Sequence, residues 1–169
     1  MGCVEMKILI LGHGQHGKDT FAEYLSKYSG LTFTSSSRAA LDAIWPALKV
    51  ALGYGDSDKE LAYHERHMYR DLWKELISLY NTPDKAALVK HVLAKHEMYV
   101  GLRCPLEFKA SKHLFDYIFW VDASDRKPLE PTMGIEFDRE TMIPISNSAS
   151  LVALEAQAEA IAGALMSGE

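Results

Sequence analysis

Short apolar runs alternate with longer stretches of helical period along this chain. Ile8 to Leu11 is a continuous apolar tetrapeptide, the pattern of a strand buried on both faces of a parallel sheet. Behind it Phe21, Tyr24, Leu25 and Tyr28 recur at steps of three and four, which predicts one face of a helix. The same logic predicts short strands at about 31–34, 98–102, 117–121 and 142–145. Between them it predicts a helix at 39–52, bent or interrupted at Pro46. A long helix, capped at Ser57 or Asp58, is expected to reach about Tyr80. Another starts at Thr82-Pro83-Asp84 and reaches about His96, a short one covers 105–113, and an amphipathic one covers 151–165. Strands alternating with helices mean an α/β fold with a mostly parallel five-stranded sheet. No repeat or long linker interrupts the pattern, and 169 residues are read as a single domain over 1–169.

Ligands of such sheets bind at the carboxyl ends of the strands. Ser35 to Ser37, Arg103, Asp122 and Asn147 all fall at such ends in this prediction. The first strand runs into Gly12-His13-Gly14-Gln15-His16-Gly17-Lys18. Two glycines with four residues between them, Gly12 and Gly17, and a lysine behind the second have the spacing of a P-loop, whose backbone N–H groups wrap phosphate oxygens. Lys18 then reaches the β- and γ-phosphates of a nucleotide, and the helix start adds unpaired N–H groups and its positive dipole end. The next position, where a serine or threonine normally offers a hydroxyl to Mg²⁺, is Asp19. A carboxylate binds Mg²⁺ directly or through water. Thr20 then faces a phosphate nearer the nucleoside.

Composition narrows the classes. No apolar run approaches the roughly 20 residues that span a bilayer, and the start of the chain, read from sequence, offers no signal peptide. Gly2-Cys3 has the look of a lipidation signal, but position 6 is Met rather than Ser or Thr. Two cysteines, Cys3 and Cys104, are too few for a disulfide framework and point to a reducing compartment, hence a cytoplasmic location. A net charge of −5 argues against a broad electrostatic footprint for nucleic acid.

Phosphoryl transfer needs cations around the loop to neutralise the moving charge. Arg66 and Arg70 lie four apart on the predicted long helix, with Trp73 three residues further. An aromatic beside two guanidiniums suits a base or sugar held next to phosphate; the alternative is a solvated basic patch with a core tryptophan. Arg103 ends a predicted buried strand, where a cation needs an anion to meet. Asp122 either orients Mg²⁺ or water, or caps the next turn. Arg126 and Lys127 lie in a polar loop that is placed to close over phosphates. His64 and His67, and His91 and His96, lack the further ligands of a zinc site and read as packing or surface residues.

These residues stand within a longer ordered set: LGHGQHGKDT (11–20), TSSSRAA (34–40), ERHMYRDLWKELISLYN (65–81), YVGLRCPLEF (99–108), FDYIFWVDASDR (115–126) and SNSASLVAL (146–154). Together they resemble the P-loop nucleotide-kinase superfamily, and within it a phage group of 5-hydroxymethyluracil DNA kinases. The resemblance implies a P-loop kinase-like three-layer sandwich and ATP-dependent phosphorylation of hydroxymethyluracil in phage DNA, in the host cytoplasm. It implies ATP and Mg²⁺ at Gly12 to Thr20, phosphates at Arg66, Arg70 and Arg103, and Asn147 near adenine. Asp19, and Ser148-Ala149 where relatives often carry glycine, depart from the pattern. The competing expectation is a deoxynucleoside monophosphate kinase that acts on free nucleotides with the same loop and arginines. A nucleotide-dependent switch without an acceptor is a third class.

Overall fold

The computed structural model describes residues 5–168; the Gly2-Cys3 question lies outside them. Five strands form one sheet in the order β2-β3-β1-β4-β5: β1 (Ile8–Leu11), β2 (Phe33–Ser35), β3 (Met98–Val100), β4 (Tyr117–Asp122) and β5 (Ile143–Ser146). Every pairing between them is parallel. The architecture is therefore an α/β three-layer sandwich, built on the parallel sheet that the alternation predicts.

The continuous apolar runs have the expected cause. Leu9, Leu11, Tyr99, Ile118 and Trp120 pack into one core, and Ile8, Ile10, Met98, Val100, Phe119 and Val121 into the other. Successive strand residues point to opposite faces, so a strand covered on both sides must be apolar at every position. β5 is an edge strand and only Ile145 is buried. That is why it tolerates Pro144, which has no N–H for a ladder.

On the second face lie α1 (Lys18–Ser29) and α7 (Leu151–Ser167), which pack on each other. Glu155 of α7 accepts hydrogen bonds from Lys27 and Tyr28 of α1, at 2.7 and 2.8 Å. The first face carries α2 (Ser36–Leu52), α4 (Arg70–Tyr80) and α5 (Ala87–Leu93). α2 starts three residues earlier than the apolar period indicates, because Ser35 caps it by accepting from the Arg38 N–H. It also runs through Pro46 without a break.

The largest departure from expectation is between 59 and 80. The predicted long helix is two: α3 (Lys59–Glu65) and α4, joined by a 3₁₀ turn at Arg66–Met68 and a non-helical Tyr69 at φ −123°, ψ 33°. Both pieces pack on α2, which one straight rod crossing that helix would not do along its whole length. α5 is likewise shorter than expected, since Asp84 uses its carboxylate to hold the Ala86 N–H in a turn. The short α6 (Pro105–Ser111) follows β3, with proline at its first position.

Candidate functional site

The loop from Gly12 to Gly17 joins the C-terminal end of β1 to the start of α1. Gly17 sits at φ 95°, and a Cβ there would run into the Asn147 amide, so the turn into the helix has no room for another residue. Gln15, exposed at the tip, is the one non-glycine residue at positive φ among the described residues, at 64°. Such turns line up successive N–H groups toward an anion. Lys18 opens α1 and is 8 % exposed. Burial pushes its amine below the usual lysine range; Asp19 and Glu130 oppose that, and Arg103 adds to it. A polyanion arriving here would restore what burial removes.

The loop is tied to the segment that follows the neighbouring strand β4 by its own histidines. His16 is fully buried. Its Nδ1 accepts from the Ala123 N–H at 3.0 Å and its Nε2 bonds the Pro128 carbonyl at 3.0 Å. Those two bonds define its tautomer as the Nε2–H form. His13 Nδ1 accepts from the Glu130 N–H at 2.9 Å. Asn147, 4 % exposed, donates from Nδ2 to the His16 carbonyl, and its own N–H goes to Asp122 O. Its Oδ1 is buried without a partner. Arg126 Nε donates to the Asn147 carbonyl at 2.6 Å, so the segment after β4, the start of β5–α7 and the P-loop meet at one point.

Lys18 also meets the other strand ends. Gly101, at φ 99° just past β3, leaves space in which a Cβ would lie 3.1 Å from Ser36 Oγ and 3.5 Å from Lys18 Cε. The ends of β1, β2 and β3 thus converge on the lysine. Arg103 is two residues further, exposed rather than buried as its position after an apolar strand led one to expect. It has an anion all the same: Arg103 NH2 lies 3.2 Å from Glu130 Oε1.

Asp122 caps a turn, accepting from the Ser124 N–H at 3.0 Å, and lies 3.8 Å from His16 Nδ1. It is half exposed, and Asp19 is exposed in the first turn of α1. Both carboxylates have the oxygen chemistry that a magnesium ion takes. Thr20 is half-buried two residues behind Lys18.

Arg66 does not share a helix with Arg70 and Trp73. It sits in the 3₁₀ turn, while the other two lie three residues apart in α4, where Arg70 is exposed at the start and Trp73 is buried in the first core with its indole N–H unpaired. The tryptophan is a packing residue. Tyr63 takes the place expected of it: the guanidinium carbons of Arg38 and Arg66 lie 3.6 and 4.0 Å from its ring centroid. Two guanidiniums so close to one centroid cannot share a face, so the ring is sandwiched between them. Arg66 also bonds the Tyr63 carbonyl, Arg38 pairs with Glu60, and the Tyr63 hydroxyl meets Ser37 Oγ at 3.1 Å. Among the histidines read as packing residues, His91 lies edge-on to Tyr80 and His67 bonds the His64 carbonyl.

Arg38, Tyr63 and Glu130 were not singled out by sequence. Arg38 was within reach of it, standing directly after the serines at the end of a strand. Glu130 was not, since no period or spacing relates a loop carboxylate to a glycine far earlier in the chain.

No family model matches the chain, and no curated protein does. Solved structures do. A gluconokinase from Sinorhizobium meliloti 1021 is similar over 97 % of this chain and 95 % of its own, at 14 % identity and a TM-score of 0.50. A sugar kinase from Janibacter sp. HTCC2649 is similar over 90 % and 91 %, at 15 % identity and a TM-score of 0.44. The likeness to the gluconokinase shows the fold alone, a P-loop kinase-like α/β three-layer sandwich. Among the described residues no helix is long and apolar enough to cross a membrane.

Proposed function

We propose that the chain is an ATP-dependent kinase, working as one domain, that phosphorylates a free small molecule carrying its own phosphate, a deoxynucleoside monophosphate. The observation that carries this reading is the convergence at Gly101, just past β3, where Lys18 of the P-loop and Ser36 from the end of β2 both come close to the same backbone position. Donor phosphates on the loop and an acceptor over β2 and β3 would then lie within reach of each other, as an in-line displacement needs.

In this reading the loop N–H groups and Lys18 hold the β- and γ-phosphates. Arg103, Arg66 and Arg70 are the arginines assigned to the acceptor's phosphate. An acceptor phosphate oxygen bonds the γ-phosphorus as the β–γ bridging bond breaks and ADP leaves. Asp19 and Asp122 would hold Mg²⁺, which would supply charge neutralisation on the phosphates. Arg126, bonded to the Asn147 carbonyl, places a cation beside the residue assigned to adenine. The likeness to a gluconokinase, named for a small-molecule acceptor, and the net charge of −5 favour a free acceptor over DNA.

The second reading, phosphorylation of the hydroxymethyl group of 5-hydroxymethyluracil in DNA, rests on the ordered motif set from LGHGQHGKDT to SNSASLVAL. There the arginines would meet backbone phosphates around a displaced base. One experiment separates the two: γ-labelled ATP with deoxynucleoside monophosphates, hydroxymethyluracil-containing DNA and plain DNA as acceptors. Label in the free nucleotides, unaffected by added DNA, is expected. Label confined to modified DNA, and falling as salt rises, selects the second reading.

A further inference from the structure

The P-loop already holds an anion of its own. Glu130 Oε2 accepts the Gly14 N–H at 2.8 Å, and Glu130 Oε1 accepts from the Thr132 hydroxyl at 3.0 Å and lies 3.2 Å from Arg103 NH2. Gly14 has one N–H, and it belongs to the loop that would wrap phosphate. A carboxylate that bonds a P-loop amide and faces a guanidinium matches a phosphate in charge and in acceptor geometry.

From this contact we infer that Glu130 is an internal phosphate mimic, which competes with the nucleotide's phosphates for the P-loop and sets the enzyme's affinity for its phosphoryl donor. The inference rests on the kinase reading above.

The surroundings agree with that role. Burial opposes ionisation of Glu130, but the Gly14 N–H, the Thr132 hydroxyl, Arg103 and Lys18 outweigh it and hold the carboxyl below its ordinary range. The group is therefore an anion at neutral pH. It is also attached to a segment that can report its position. The Glu130 N–H bonds His13, its carbonyl accepts from the Met133 N–H, and the Gly134 N–H bonds the Arg103 carbonyl. A phosphate oxygen that takes the Gly14 N–H must displace the carboxylate. Displacement removes the anion facing Arg103 and frees that guanidinium for the acceptor. Donor binding and acceptor capture are then coupled through a single side chain.

The test compares wild type, Glu130→Gln and Glu130→Ala for binding of a non-hydrolysable ATP analogue with Mg²⁺ and of inorganic pyrophosphate, by calorimetry. Glutamine keeps the shape and loses the charge; alanine removes the acceptor. Exchanging a charge-assisted hydrogen bond for a weaker one changes such an equilibrium by about tenfold. Both ligands are expected to bind about tenfold more tightly to the two variants, with the KM for ATP falling and kcat changing by less than about threefold. A purely structural role predicts weaker binding, and a catalytic base predicts a collapse of kcat at unchanged affinity; either result overturns the inference. A Lys18→Met variant in the wild-type background serves as reference. Lys18-dependent binding that Glu130→Gln leaves unchanged defeats the inference alone, whereas binding indifferent to Lys18 defeats the P-loop reading with it.

Discussion

Lys18 shows how one residue sets function against stability. The residue is 8 % exposed at the head of α1, and burial pushes its amine below the usual lysine range. Covering a cation costs free energy that only an anion repays. Lys18→Met keeps the length and removes the charge, so its thermal midpoint should equal or exceed that of wild type. Phosphoryl transfer should fall about 10²-fold or more, because the charge acts on the transferring group. A folded variant within twofold of wild-type activity would sink the P-loop assignment. At this scale the sequence was readable where spacing encodes geometry. Gly12 and Gly17 both take positive φ in the loop after β1, and Lys18 opens α1. It was unreadable where exposure decides. Trp73 and Tyr63 have equal claim, by spacing, to sit beside arginine, and only the packing of α4 on α2 sends the tryptophan inward and leaves the tyrosine between Arg38 and Arg66.

Elements are joined here by a few polar contacts that hydrophobic periodicity cannot announce. Nothing in the residues from Lys59 to Tyr80 is glycine or proline, so the 3₁₀ break had no local signal; it exists because both pieces lie on α2. Asn81, 1 % exposed at the end of α4, accepts from the Leu88 N–H of α5 and donates to Glu107 Oε1 of α6, at 3.0 Å each. Burial pushes the Glu107 carboxyl up, against the downward pull of Asn81 and Lys85. The folded chain therefore holds this proton more tightly than the unfolded one. Its contribution to stability is full below the ordinary glutamate value of about 4.5 and is lost as pH rises through the higher folded value. Glu107→Gln keeps the acceptor for Asn81 without the titration. Melting curves should nearly coincide for the two proteins at pH 4, and the variant should melt higher at pH 7. An equal difference at both pH values would show that Glu107 does not carry this dependence.

For the whole molecule, the fold class was legible and the wiring was not. A strand covered on both faces must be apolar at consecutive positions, so β1, β3 and β4 stood out in the sequence. The order β2-β3-β1-β4-β5 depends on which crossover lands beside which strand, and no local pattern records that. This order puts β1 in the middle, so the P-loop grows from the centre of the sheet and touches both layers. His16 fastens it to Ala123 and Pro128, Asn147 to the start of the β5–α7 connection, and Lys18 reaches β2 and β3 through Ser36 and Gly101. A ligand bound there should stabilise the molecule as a unit, because the loop cannot unfold without disturbing both cores. Binding to the folded state alone adds about 2.7 kcal/mol at a ligand concentration 100 times Kd. For a chain of this size each kcal/mol is worth roughly 2–4 °C. ATP with Mg²⁺ should therefore raise the thermal midpoint by about 5–10 °C, in a single transition, and adenosine without phosphates should raise it far less. In Lys18→Met the rise should largely vanish while the unliganded midpoint is kept. An equal rise in wild type and variant would mean that the nucleotide binds away from this loop, and a transition that splits in two on adding ATP would mean that the loop does not join the two layers.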